Sequence, residues 1–375
     1  MHHLLIYITE GYTLKRGILF LIILSLFFIL VSCGKTVNTS SEQLQTDQSS
    51  TADSLNQGSA QEGEQQNSKP EDAAKPEKKP VGDFIFPTEG VRPFAVMIDN
   101  EGTRSLPQGG MYLAQVIYEV IVEGGETRLM PLFWGTNPTM IGPVRSSRHY
   151  FLDYSMEHDA IYVHFGGSYI AYRDLPKLKI NNIDGTGAGG GIFWDLTKDR
   201  KNWQDSYTSM KKIEGYVSKV KYRTSTEKKP VFTYNKTDVD NAIGQKAEKI
   251  NIRYSSSYTC GYQYDTTAKM YKRLRKGQPH MERVTGKQLE AKNIIIQYVR
   301  NYTIKGDTAG RQEVNTVGSG SGLFITNGKS MEIKWSKDAR SSATKYTYKD
   351  GNTVMLNPGQ TWVQIVPIDG KVEIN

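Results

Sequence analysis

SSRHYFLDYSMEHDAIYVHFGGS, Ser146 to Ser168, changes periodicity once along its length. Up to Asp159 it has helical length and opens on serines that could cap a helix. AIYVHFGGS, Ala160 to Ser168, then turns to β-branched and aromatic residues and stops at Gly166-Gly167, where the backbone can turn tightly and approach a ligand. A helix that hands over directly to a strand excludes an all-α or all-β reading of this region. Upstream, RPFAVMIDN (Arg92 to Asn100), QVIYEVIVEGG (Gln115 to Gly125) and TRLMPLFWG (Thr127 to Gly135) read as strands, rich in residues that suit a pleated, half-buried surface. Downstream, the polar run YRTSTEKKPVF (Tyr222 to Phe232) holds Pro230 and marks a junction. Beyond it, KNIIIQYVRNYTI, SGLFITNGKSMEIKWS and TKYTYKDGNTVMLNPGQTWVQIVP alternate apolar and polar residues. They are punctuated by Asn-Gly, Asp-Gly and Pro-Gly turns. The expected fold is α+β: a mixed α/β N-terminal domain over 81–229, then a β-rich, mainly antiparallel C-terminal domain over 230–375.

The N-terminus reads differently. Lys15 and Arg16 precede the apolar run Gly17 to Val31, which is shorter than the ~20 residues a membrane span needs and fits a secretory signal. The run ends at LVSC (Leu30 to Cys33), which resembles the lipobox of bacterial lipoproteins. Residues 1–32 are therefore expected to be a signal peptide and Cys33 the lipidated first residue, holding the protein on the outer face of the cytoplasmic membrane. Residues 33–80, rich in Ser, Gln, Glu, Lys and Pro, carry too little apolar surface to offset ordering and read as a disordered stalk. That stalk is net acidic, so the folded part is more basic than the chain's overall +8. Its lysines are scattered, which is how a solvated face looks, and nucleic acid is not expected as a partner. With Cys33 lipidated, Cys260 has no disulfide partner; in YSSSYTCGYQYD it reads as a buried small hydrophobe.

Chemistry concentrates in IGPVRSSRH, Ile141 to His149. If a helix starts at Ser146 or Ser147, then Arg145, His149 and Asp153 share one face. The unpaired N–H groups of its first turn would join Ser146, Ser147 and the guanidinium forks of Arg145 and Arg148 as an anion site. His149, His164, Gly166, Gly167 and Ser168 complete the expected ligand-binding set, and the arginines are expected to matter little for stability. An equally concrete alternative has the arginines clamping carbonyls and His149 pairing with Asp153 along the helix. A hydrolase or transferase could use His164 or His149 as base, Asp153 or Asp159 to orient it, and Ser146 or Ser168 as nucleophile. GGS, however, is not the GxSxG elbow. No HxH, HxxxH or CxxC pair accompanies these histidines, so no metal is expected. DGTGAGGGIFWD (Asp184 to Asp195) lacks the Lys-Ser/Thr of a P-loop, and no cofactor is expected.

Together, RPFAVMIDN, IYEVIVEGGETRLMPLFWG, IGPVRSSRHYFLDYSMEHDAIYVHFGGS and NPGQTWVQIVP resemble the YerB-like lipoproteins of Gram-positive bacteria over Arg92 to Pro367. That resemblance implies an α+β first domain, a β-rich second domain and an extracytoplasmic tether, and supplies no activity. The leading expectation is a surface lipoprotein of unknown activity that binds an anionic cell-wall polymer or peptide. The alternatives are an envelope hydrolase or transferase, and a lipoprotein that contacts a protein partner through its C-terminal sheet.

Overall fold

The computed structural model describes residues 84–375 apart from 188–190, 198, 200–204 and 241–242; the expected signal peptide, Cys33, the expected stalk and the centre of the glycine stretch lie outside the described residues. The protein is strand-rich, with a large mixed sheet, and its described α-helices, α1 (His149–Glu157), α2 (Tyr169–Lys177) and α3 (Met210–Val220), all precede residue 221.

The 12-stranded sheet has Asn293–Val299, Thr361–Pro367 and Val116–Ile121 side by side and parallel at its centre. The last two are buried at every position, as strands covered on both faces must be. From Val116–Ile121 the sheet continues antiparallel through Thr127–Phe133 to Phe94–Val96, then parallel through Ile161–His164 to Asn182–Asp184. On the other side lie Gly318–Thr326 and Lys329–Lys337, joined at Asn327-Gly328. Both turn residues have positive φ, 48° and 73°, as the Asn-Gly pair anticipates.

Successive residues of a strand point to opposite faces, which defines the layers. Tyr118 stacks on Tyr154 of α1 with ring centroids 4.9 Å apart. Its neighbour Glu119 points the other way and meets Arg273 at 2.6 Å. Arg273 belongs to a second, antiparallel sheet built from Lys249–Arg253, Thr259–Asp265, Met270–Arg275 and Lys371–Ile374 with two short strands. At these positions α1, the large sheet and the second sheet thus form three layers. The expectation of a meander after Pro230 holds for the second sheet. It gives way at Thr361–Pro367, which crosses back to insert between Asn293–Val299 and Val116–Ile121. Cys260 is buried on the second sheet, donates to Gln364 Oε1 at 3.2 Å, and has its thiol pushed up by burial.

Candidate functional site

The strands Phe94–Val96, Ile161–His164 and Asn182–Asp184 run parallel, and α2 carries the chain from the second to the third. A βαβ unit of this kind presents its loops at the carboxyl edge of the strands, where ligands of α/β folds gather. Two loops meet there. Met97 O accepts from Arg145 N at 2.9 Å, Gly166 O accepts from Ser147 N at 2.9 Å, and Ser168 N donates back to Ser147 O at 3.0 Å. Gly166 has φ 74°, and a Cβ there would lie 3.3 Å from Ser146 Oγ, so glycine is what lets the loops close on each other.

This pairing holds Arg145 to Ser147 against neighbouring backbone and delays the helix. α1 begins at His149, with Arg148 as an extended cap residue that makes no side-chain cap bond. The serine cap expected for it is absent: Ser147 is buried and its Oγ accepts from Tyr162 Oη at 3.0 Å. Ser168 instead caps α2, accepting from Ala171 N at 3.1 Å.

The arginines come together, and each has carboxylate or carbonyl partners. Arg145 is buried with Nε 2.9 Å from Asp99 Oδ2, and its Nη2 lies 3.6 Å from Glu101. The expectation that it matters little for stability therefore fails on burial: its removal would leave the Asp99 charge in the interior without this counter-ion. Arg148 forks onto Glu123 at 2.6 and 2.9 Å and gives Nη1 to Ser147 O at 2.8 Å. Burial pushes the Glu123 carboxyl up, but the hydrogen bonds and charge of Arg148 outweigh it and hold the group below its ordinary range.

The residue that local sequence did not single out is Arg128. It sits in the strand Thr127–Phe133 opposite Asp99, is 3% exposed, and donates Nη1 to Ser146 O at 2.7 Å. Its Nε is buried without a hydrogen-bond acceptor. Desolvation, then the charges of Arg148 and Arg145, pull its guanidinium down to about 10. Its only local signal was a cation in an otherwise apolar strand.

Of the residues of the hydrolase reading, His164 and Asp159 do not come together. His164 is fully buried with Nδ1 2.7 Å from Gly166 O and Nε2 3.1 Å from Asn182 Oδ1, so both ring nitrogens are spent within the fold. Asp159 lies at the far end of the same strand, on the order of 15 Å away by strand rise. It is left-handed at φ 51° and ion-paired with Arg92 and Arg223. Asp184 does come near, 3.9 Å from His164 Nδ1, and accepts from the N–H groups of Gly166 and Thr186 at 2.9 and 3.0 Å. Burial pushes its carboxyl up, and these bonds more than offset that. Among the described residues, no group of three His, Cys, Asp or Glu side chains is placed to hold a metal ion. In the glycine stretch, Phe193 is buried edge-on to Phe165, and half-buried Trp194 stacks on Tyr207.

His149 and Asp153 do share a face of α1, and it lines a separate recess between α1, α2 and the strand Gln312–Val314. His149 Nε2 is 3.0 Å from Glu313 there. Asp153 is held by Arg340 Nε at 2.6 Å and by the Thr316 hydroxyl at 2.5 Å.

Comparison with known proteins places this architecture. The chain matches the family models "Protein of unknown function (DUF3048) N-terminal domain" over residues 87–247 and the corresponding C-terminal domain over 250–363. It is 30% identical over 281 residues to "Putative lipoprotein YerB" of Bacillus subtilis (strain 168), covering 74% of this chain and 81% of that protein. The crystal structure of YerB protein from Bacillus subtilis is similar at a TM-score of 0.67 and 28% identity, covering 76% of this chain and 94% of that one. The chain belongs to this YerB family, whose two domains are of unknown function.

Proposed function

We propose that this member of the family is a lipid-tethered protein of the outer face of the cytoplasmic membrane. It binds an anionic cell-envelope ligand, a wall polymer or a peptide carboxylate, at the carboxyl edge of the parallel strands. The observation that carries the reading is Arg128: a buried guanidinium whose Nε lacks an acceptor, beside Arg145 and Arg148, with its Nη1 on the carbonyl of half-exposed Ser146. An anion entering over Ser146, Gly166 and Gly167 would supply the missing acceptor. Arg148 would turn part of its fork from Glu123 toward it, while Arg145, Ser147, His164 and Ser168 hold the two loops in place. Recognition in so desolvated a corner favours a guanidinium over an ammonium, because the planar fork is the more weakly hydrated. Support for the tether is the basic and apolar leader ending at Cys33, together with the lipoprotein name of the Bacillus relative.

The reading is tested on full-length protein in detergent, titrated with inorganic phosphate, a short peptide with a free carboxyl terminus, and teichoic-acid fragments. Thermal unfolding is expected to move up for at least one of them, by about 2.7 kcal/mol at 100 times the dissociation constant. The effect should weaken in molar salt and vanish in Arg128→Gln. A folded protein stabilised by none of them sinks the reading. For the tether, Cys33→Ala is expected to release the protein from membranes or leave it as an uncut precursor; unchanged membrane association with unchanged lipid labelling would refute it.

A further inference from the structure

The recess at the solvent side of α1 and α2 has a chemistry of its own. It encloses ≈ 440 Å³, within the range of about 300–1,000 Å³ usual for small-molecule sites. Ile170, Ile304, Val314 and Val317 give it an apolar lining. Around that lining the charges are already matched. Arg340 spans Asp153 and Asp174 at 2.6 and 2.9 Å, Arg173 adds a second hydrogen bond to Asp174 at 2.8 Å, and His149 meets Glu313. Asp153 and Asp174 are 4 and 5% exposed, so the carboxylates of this ion-pair frame belong to the fold. Tyr169 stands at the side, 59% exposed, with the guanidinium of Arg311 5.4 Å from its ring centroid; Arg311 is itself anchored on Asp307. Exposed Asn315 offers an amide, and Glu313 has one carboxylate oxygen beyond the one used by His149.

A charged ligand would gain little here, because it would have to break pairs that are already made and partly desolvated. A flat, purely apolar ligand would leave the polar rim without partners. A sugar ring matches both features. Its C–H face stacks on a tyrosine and on aliphatic side chains, and its hydroxyls both donate and accept, so they can use the free Glu313 oxygen, the Asn315 amide and the terminal guanidinium nitrogens of Arg173 together. We infer that the recess between α1, α2 and the strand Gln312–Val314 is a carbohydrate subsite, taking a neutral oligosaccharide with one ring stacked on Tyr169 and hydroxyls shared between Asn315, Glu313 and Arg173.

This subsite does not depend on the anion corner. Arg128, Ser146 and Arg148 are not among its lining residues, so either assignment can fail alone. The test applies full-length protein in detergent to an array of neutral oligosaccharides, N-acetylglucosamine oligomers and α- and β-glucans, with short peptides printed alongside. The best sugar is then titrated calorimetrically. Saturable binding that survives molar salt is expected, weakened about tenfold by Tyr169→Ala and reduced by Asn315→Ala. Both residues are exposed, so the variants should melt with the wild type. The assignment is overturned if folded wild-type protein binds no sugar on the array, if it prefers the peptides, or if Tyr169→Ala leaves the sugar affinity unchanged.

Discussion

Arg273→Ala is expected to lower the stability of the protein by about 3–5 kcal/mol, because it leaves a charged partner in the interior. The guanidinium is fully buried between the two sheets. Nη2 lies 2.6 Å from Glu119 Oε2, Nη1 donates to Tyr262 Oη at 2.6 Å, and Nε donates to His280 Nδ1 at 3.0 Å. Its plane also sits 4.0 Å from the Trp362 ring centroid. Glu119 and Trp362 belong to the large sheet and Tyr262 to the second one, so a single side chain ties the layers together. Truncation removes that packing and strands the Glu119 carboxylate without its cationic partner, leaving it to neutral donors such as Thr127 and Asn100. Urea unfolding followed by far-ultraviolet circular dichroism measures the loss. The double variant Glu119→Gln/Arg273→Met, which removes both charges and keeps the volume, should be markedly less damaged than Arg273→Ala. Equal damage would mean that the lost hydrogen bonds to Tyr262 and His280, and not the stranded charge, set the cost.

Through His158 alone, stability is also expected to fall by about 3 kcal/mol as the pH drops from 6.5 to 4. The ring is buried, with Nε2 2.8 Å from Tyr118 Oη. Burial is the main cause that brings its pKa down to about 4; Glu157 opposes this, and Lys337 and Lys228 add to it. A histidine lowered on folding takes up its proton in the unfolded chain first. The stability it supports is therefore complete above pH 6.5 and is lost as the pH falls toward 4. His280, lowered by burial and by Arg273 and Arg275, works in the same direction. Asp153, raised by burial against the pull of Arg340, works against them as the pH falls toward its ordinary carboxylate range from above. Chemical denaturation at a series of pH values tests this. His158→Gln should flatten the profile between pH 6.5 and 4, and an unchanged slope would remove His158 from the explanation.

How much of this was readable beforehand depended on how local each signal was. The helix in SSRHYFLDYSMEHD, the strand in AIYVHFGGS and the Asn327-Gly328 turn are set by residues within a few positions of one another. The convergence of Ser147 with Gly167 was half legible, since both lie in segments the sequence marks for ligand approach. Helix α2 was not foreseen, and with it went the βαβ unit that gives Gly166 and Gly167 their place at the strand edge. Arg128 and Arg340 carried no motif at all. Each matters because of residues far away in the chain: Ser146 and Asp99 for the first, Asp153 and Asp174 for the second.

By itself, the sequence determined the mixture of helix and strand, the turns and the segments where polar chemistry collects, because periodicity, capping and turn preferences act over a few residues. The tertiary structure alone decided that Thr361–Pro367 lies beside Val116–Ile121, that Arg145 and Arg148 are answered by Asp99 and Glu123, and that His164 is locked between Gly166 and Asn182. An alternating pattern tells which face of a strand is buried but not which strand lies next to it. The partner of a charged side chain is fixed only when burial removes water as the alternative.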